Sequence, residues 1–320
     1  MKRLTLTLLF VAATLAASAQ TLLLDDIRFR DPYILADQKS QTYYLYLSST
    51  TKSASGKVVG GVKAYTSKDL IHWNEPVQVF TCPDDNWITG NVWAPEVHQY
   101  KGKYYLFATL NTDLTWKGGK NNSAPYTFRG TQIFWSKSPL GPFKAFSTDP
   151  HTPIDQMALD GTLWVEDGTP YIVYCHEWVQ IDDGAIEMRP LKKDLSAPTA
   201  PPTRLFCASA ADWVDKRRTI VTDGCFLYRT KTGKLLMTWS SWSNGKYSIG
   251  IAESTTGRLS GPWKHQAEPL FDDNGGHCMI FRDFDGKLRV VFHCPNDPAG
   301  KERAKICELE DLGETIRIKQ

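Results

Sequence analysis

A short alternating apolar segment recurs five times in this chain, each time just after a turn-forming stretch: Gln41-Thr-Tyr-Tyr-Leu-Tyr-Leu, Gly102-Lys-Tyr-Tyr-Leu-Phe-Ala, Gly168-Thr-Pro-Tyr-Ile-Val-Tyr, Gly233-Lys-Leu-Leu-Met-Thr-Trp and Gly286-Lys-Leu-Arg-Val-Val-Phe. Their starts lie 61, 66, 65 and 53 residues apart. Alternation of this kind is the pattern of a strand with one face buried. A unit repeated at this interval cannot bury its apolar face alone, so it must stack on its neighbours.

About ten residues upstream of each segment lies a second apolar stretch: Asp31-Pro-Tyr-Ile-Leu, Ala94-Pro-Glu-Val-His, Asp160-Gly-Thr-Leu-Trp, Asp223-Gly-Cys-Phe-Leu and Gly276-His-Cys-Met-Ile. The intervening Asp-Gly and Thr-Gly pairs are hairpin chemistry. Several units then carry a third segment, such as that running from Ala64 to Trp73. No long segment has a 3.6-residue apolar period, so helices should be rare. Five four-stranded meanders packed radially make an all-β, five-bladed β-propeller. A β-sandwich is the alternative built from short strands. A propeller brings the same position of every blade to one end of a central channel, and the matched opening strands favour it.

Aligning those opening strands makes Asp31, Ala94, Asp160, Asp223 and Gly276 equivalent. An Asp before Pro or Gly is ordinarily a turn residue. Three at a repeated position gather round one axis, where mutual repulsion and burial raise the pKa of one of them. Glu177, beside Trp178 at the end of an apolar run, has the setting of a high-pKa proton donor. Glu96 is a candidate structural or substrate-orienting group. His277, after Gly275 and Gly276, is expected to point into the channel and to hold either an ion or a hydrogen bond. There is no HExxH and no His/Cys cluster of the zinc type.

Residues 1–19 read as an export signal: Lys2 and Arg3, an apolar run to Ala16, then Ala17-Ser18-Ala19 before a cleavage site at Gln20. Of 37 basic and 35 acidic side chains, those two cations fall in the signal, which leaves residues 20–320 as one formally neutral domain. Such a balance excludes the basic excess of a duplex nucleic-acid binder and suits an uncharged glycan. No later stretch is long and apolar enough for membrane insertion. The expected product is an exported monomer, periplasmic or secreted. Its seven Cys show no CxxC spacing and read mainly as small buried apolar residues, with one bridge allowed.

In their order along the chain, Arg30-Asp31-Pro32-Tyr33, Trp93-Ala94-Pro95-Glu96, Leu159-Asp160-Gly161, Thr222-Asp223-Gly224 and Gly275-Gly276-His277 resemble glycoside hydrolase family 43. The resemblance covers essentially the whole chain after the export segment. It implies inverting hydrolysis of arabinose- or xylose-containing oligo- or polysaccharides, with related members acting on galactose linkages. Asp31 matches the family's general base, and Asp160 matches the Asp that raises and orients the acid. The family acid is a Glu opening blade four, and here Asp223 stands in that place, one methylene shorter. Glu177 is therefore preferred as the donor, with Asp223 as the alternative. The resemblance also implies a hydrated ion, often calcium, or a water facing His277. Trp93, Trp116 and Trp178 are expected sugar platforms, and the loop from Leu110 to Phe128 is expected to close one side of the pocket. The competing reading is a non-catalytic carbohydrate-binding propeller, favoured by the missing blade-four Glu.

Overall fold

The computed structural model describes residues 21–120 and 124–319, so the export segment expected at residues 1–19 lies outside the described residues. The described chain forms five antiparallel sheets, each built from one contiguous stretch. The sheets are five blades round a channel, as the repeats require, and a sandwich is excluded. Their innermost strands are Tyr33–Asp37, Asn91–Tyr100, Ala158–Glu166, Asp223–Arg229 and Gly276–Arg282. These five pack side by side in order, and the last meets the first. Among the described residues the one α-helix is the single turn Trp178–Ile181.

Blades two to five are four-stranded as expected, but blade one has six strands. Its outer edge is doubled: Leu22–Leu23 pairs with His72–Trp73, and Val77–Thr81 lies separately along Val58–Ser67. Apolar side chains fill the seams between blades. One cluster joins blades five, one and two through Phe29, Ile34, Leu45, Val97, Phe281 and Val291. Others join blades two and three, three and four, and four and five. Trp73 and Trp239 are fully buried in these seams. Truncating either to Ala would cost about 3–5 kcal/mol.

The opening of each inner strand carries one repeated backbone device. Asp31, Ala94, Asp160, Gly224 and His277 all have φ between 41° and 57°. In blades two to five these residues sit in a β-bulge, where the register skips between Trp93 and Glu96, Leu159 and Thr162, Asp223 and Phe226, and Gly276 and Met279. The left-handed conformation is unfavourable for residues with a Cβ, and its recurrence marks a constrained site. It also corrects the alignment made from sequence. Asp223 and Gly276 are each one residue too early, and the residues equivalent to Asp31 are Gly224 and His277. Asp223 instead corresponds to Trp93 and Leu159.

All seven cysteines are free, and Cys82, Cys175, Cys225 and Cys278 are buried among apolar neighbours. The bridge allowed from sequence does not form.

Candidate active site

The bulge gathers three side chains from three blades. Nδ1 of His277 lies 3.2 Å from Oδ1 of Asp31 and 3.5 Å from Oδ2 of Asp160. The ring is fixed from behind, since the His277 N–H donates to Oγ of Ser240 at 2.8 Å. Asp160 is pinned as firmly. Its N–H donates to Oγ1 of Thr109 at 2.9 Å, and its Oδ2 accepts the Gly224 N–H at 3.0 Å. Gly224 has to be glycine, because a Cβ there would lie 2.6 Å from Cγ of His277.

A second imidazole supports Asp31. Nδ1 of His293 lies 3.2 Å from its Oδ1 and 3.3 Å from its main-chain nitrogen, while Nε2 is 3.1 Å from Oδ1 of Asn296. Burial opposes ionisation of Asp31, but His277 and His293 hold its carboxyl well below the usual range. Burial likewise opposes a charge on His277, yet Asp31 and Asp160 outweigh it and push the ring up to about 10. Asp160 goes the other way: burial raises it to about 7, with His277 restraining it and Asp223 and Asp31 adding to the rise. Carboxyls with opposite shifts in one site are the arrangement that acid and base chemistry needs.

These groups open into a cavity of about 580 Å³ whose wall includes Asp31, Asp160, Glu177, Asp223, Trp93, Trp178 and His277. That volume lies in the range of small-ligand pockets. Glu177 ends the second strand of blade three and is paired with Nη1 of Arg129. Burial pushes its carboxyl up, Arg129 pulls it back, and Asp223 adds to the rise. Asp223 is also raised by burial, with the Tyr247 hydroxyl and His277 holding it back. Trp93 is 37% exposed and lies under the Arg129 guanidinium, 4.5 Å from its ring centre.

Two expected site residues lie outside this wall. Glu96 follows the bulge, which turns it away from the mouth, and it is buried against Nε2 of His98 at 2.7 Å. Trp116 stands on blade two's outer projection, donating to the Thr127 carbonyl at 3.2 Å. The segment expected as a loop is a strand extension, in which Lys103–Lys117 pairs with Tyr126–Ser136 beyond the end of the inner strand. Its far end reaches blade three through the Tyr126 hydroxyl, which donates to the Gln180 carbonyl at 3.2 Å. Arg129, Trp242, Tyr247 and Asn296 are additions that the sequence motifs did not single out.

Among the described residues, no group of three or more His, Cys, Asp or Glu side chains is arranged to hold a metal ion. With Nδ1 of His277 facing two carboxylates, only Nε2 is left to meet a cation. Calcium prefers six to eight oxygen ligands. The protein alone therefore does not build a calcium site here.

A five-bladed propeller with a buried acid cluster at one channel mouth defines a carbohydrate-active class of protein. The sequence profile of glycosyl hydrolases family 43 matches residues 26–319. The chain belongs to that family. It is similar in structure to the endo-arabinase from Bacteroides thetaiotaomicron VPI-5482, with a TM-score of 0.79 and 37% identity over 91% of this chain and 97% of that one. It is also similar to the extracellular endo-alpha-(1->5)-L-arabinanase 1 of Bacillus subtilis (strain 168), 26% identical over 43% of this chain. The chain spans 41% of the length of that relative. A further relative is the extracellular exo-alpha-(1->5)-L-arabinofuranosidase ArbA of Cellvibrio japonicus (strain Ueda107), 26% identical over 37% of this chain and 29% of the relative. Among the described residues no helix is long and apolar enough to cross a membrane.

Proposed function

We propose that the protein is an inverting glycoside hydrolase removing arabinofuranosyl or xylosyl residues from plant-type glycans, with galactosyl and galactofuranosyl linkages next in order. The carrying observation is the divergence of carboxyls in one cavity, with Asp31 held ionised and Glu177 and Asp223 both raised. In this reading Asp31 takes a proton from a water that attacks the anomeric carbon. Glu177 gives its proton to the departing oxygen, and the glycosidic C–O bond breaks as the new one forms on the opposite face. Asp160 serves as the modulator of the acid's pKa, and His277 holds Asp31. Trp93 and Trp178 offer apolar faces to the sugar ring.

The relatives' names support arabinose-type substrates and export, and the charge balance suits a neutral glycan backbone; the protein is taken to act as a monomer. A hydrated calcium near His277 is a separate proposal: Nε2 of His277 would hold it only in the neutral ring, and the ion would supply positive charge near Asp31. No step above runs through it.

The test is to incubate the protein with arabinan, xylan, arabinogalactan and aryl glycosides of arabinofuranose, xylose and galactofuranose, and to follow the first product by NMR. Release with inverted anomeric configuration, lost by about 100-fold or more in Asp31→Asn, is the expected result. Retention of configuration would overturn the mechanism. Binding without release would favour the carbohydrate-binding reading, for which the Asp at the head of blade four is the argument.

A further inference from the structure

On the blade-four side, the residue next to a cavity-lining position carries an exposed cation. Residues 215–218 form a tight turn in which the Arg218 N–H donates to the Asp215 carbonyl at 3.1 Å. The turn is fastened to blade four by the Asp215 N–H, which donates to the Trp242 carbonyl at 2.8 Å. The Asp215 carboxylate is spent inside the turn, accepting from Nε and Nη2 of Arg217 at 2.9 and 3.2 Å and from the Arg217 N–H at 3.1 Å. Arg218 lies with its guanidinium 4.8 Å from the centre of the Trp242 ring. It is exposed, and among the described residues it makes no ion pair. Trp242 and Thr219, the latter next to Arg218 in the chain, both line the cavity.

A guanidinium resting on an indole is already ordered, so less freedom is lost when it binds, and its N–H edge stays open. That planar fork matches a carboxylate in two parallel hydrogen bonds. On the cavity floor the cations His277 and Arg30 are already matched to Asp31, at 3.2 and 3.9 Å, so the floor offers an incoming anion no unpaired cation. A substrate with one anionic and one neutral sugar is thereby oriented, its neutral residue on the floor and its anion at the lip.

We propose that Arg218 is an anion-recognition residue and that the glycan carries a uronic acid next to the arabinose- or xylose-type residue released. This rests on the glycosidase reading above. It goes against the expectation of an uncharged substrate drawn from the net charge.

The experiment compares paired oligosaccharides that differ only in a uronate or its neutral counterpart beside the scissile linkage. Wild type, Arg218→Gln and Arg218→Glu are assayed at low and high salt, with circular dichroism to verify folding. The wild-type kcat/KM ratio, acidic over neutral, is expected to be about tenfold at low ionic strength and to shrink as salt screens the lip. Arg218→Gln should abolish that ratio and Arg218→Glu should invert it. A wild-type ratio near one, or a ratio that survives Arg218→Gln, overturns the proposal. If wild type hydrolyses nothing, including the aryl glycosides, the glycosidase reading fails instead. Calorimetric binding of the uronate oligosaccharide to wild type and Arg218→Gln then decides Arg218 by itself: equal affinities overturn its role, and a loss of about tenfold upholds it.

Discussion

Oη of Tyr247 lies 2.6 Å from Oδ2 of Asp223 and donates a hydrogen bond to it. Burial and the neighbouring Asp223 push the Tyr247 phenol well above its ordinary range, so it stays a donor at any working pH. Donation favours the ionised carboxylate, and Tyr247→Phe therefore raises the Asp223 pKa further. Activity that needs a proton donor is lost as pH rises through that donor's pKa. With Glu177 as donor, the alkaline limb of kcat/KM in Tyr247→Phe does not move up and shifts slightly down, because a less ionised Asp223 raises Glu177 less. An upward shift of the limb would transfer the role to Asp223.

Arg129 provides the complementary experiment. Its Nη1 pairs with Glu177 and its Nε donates to Oδ1 of Asn111 at 2.8 Å. In Arg129→Met the cation that restrains the Glu177 pKa is gone, so the alkaline limb should move to higher pH, while Arg129→Lys should largely keep it in place. A fall in kcat of about tenfold or more should accompany the Met variant, because the carboxyl loses its orientation. A limb that does not move in Arg129→Met would remove Glu177 from the donor role.

Acid sensitivity is expected from a residue remote from the cavity. His151 is buried between blades two and three, its Nδ1 accepting the Ile133 N–H at 3.1 Å and its Nε2 donating to the Leu195 carbonyl at 3.0 Å. Burial pushes its pKa down to about 4 from an ordinary 6.5. Between those values the unfolded chain binds more protons than the folded one, so stability falls as pH drops from 6.5 to 4. The loss is on the order of 3 kcal/mol. Denaturation of wild type and His151→Gln at pH 7 and pH 4.5 should show the smaller pH-dependent loss in the variant.

The projections of blades one and two are joined by main-chain contact, the Gly60 N–H donating to the Gly90 carbonyl at 3.1 Å. A Cβ on Gly90 would overlap the Asn111 carbonyl oxygen. Gly90→Ala should cost about 2 kcal/mol or more in chemical denaturation, since the obstacle is backbone rather than a flexible side chain. Stability equal to wild type would mean that this junction yields freely.

The five blades were legible because strand alternation and turn chemistry are local, and the chain repeats them. The one-residue error in blades four and five came from matching side-chain chemistry: Asp223 resembles Asp31, whereas the backbone equivalence belongs to Gly224 and His277. Glycine hides its conformational role when the residue before it is an acid. Asp31, Asp160, Glu177 and Asp223 were found because acids at strand ends stand out. Tyr247 and Arg129 did not, because each lies in a strand and acquires its role only by reaching a carboxylate of another strand or blade. For Glu96 the sequence left a structural or a substrate-orienting role open, and it lies buried against His98 just after a bulge that composition does not show.

Every sheet is a contiguous segment, and among the described residues the first and last blades meet through apolar packing, the bridge between Arg28 and Arg303, and polar contacts such as Arg30 with Glu302, with no exchanged strand. The chain's two ends therefore have no structural privilege. A circular permutant that starts between two blades, with a linker from Ile316–Ile318 to Leu22–Leu23, keeps every sheet whole. It should fold to the same ring and retain the same pocket.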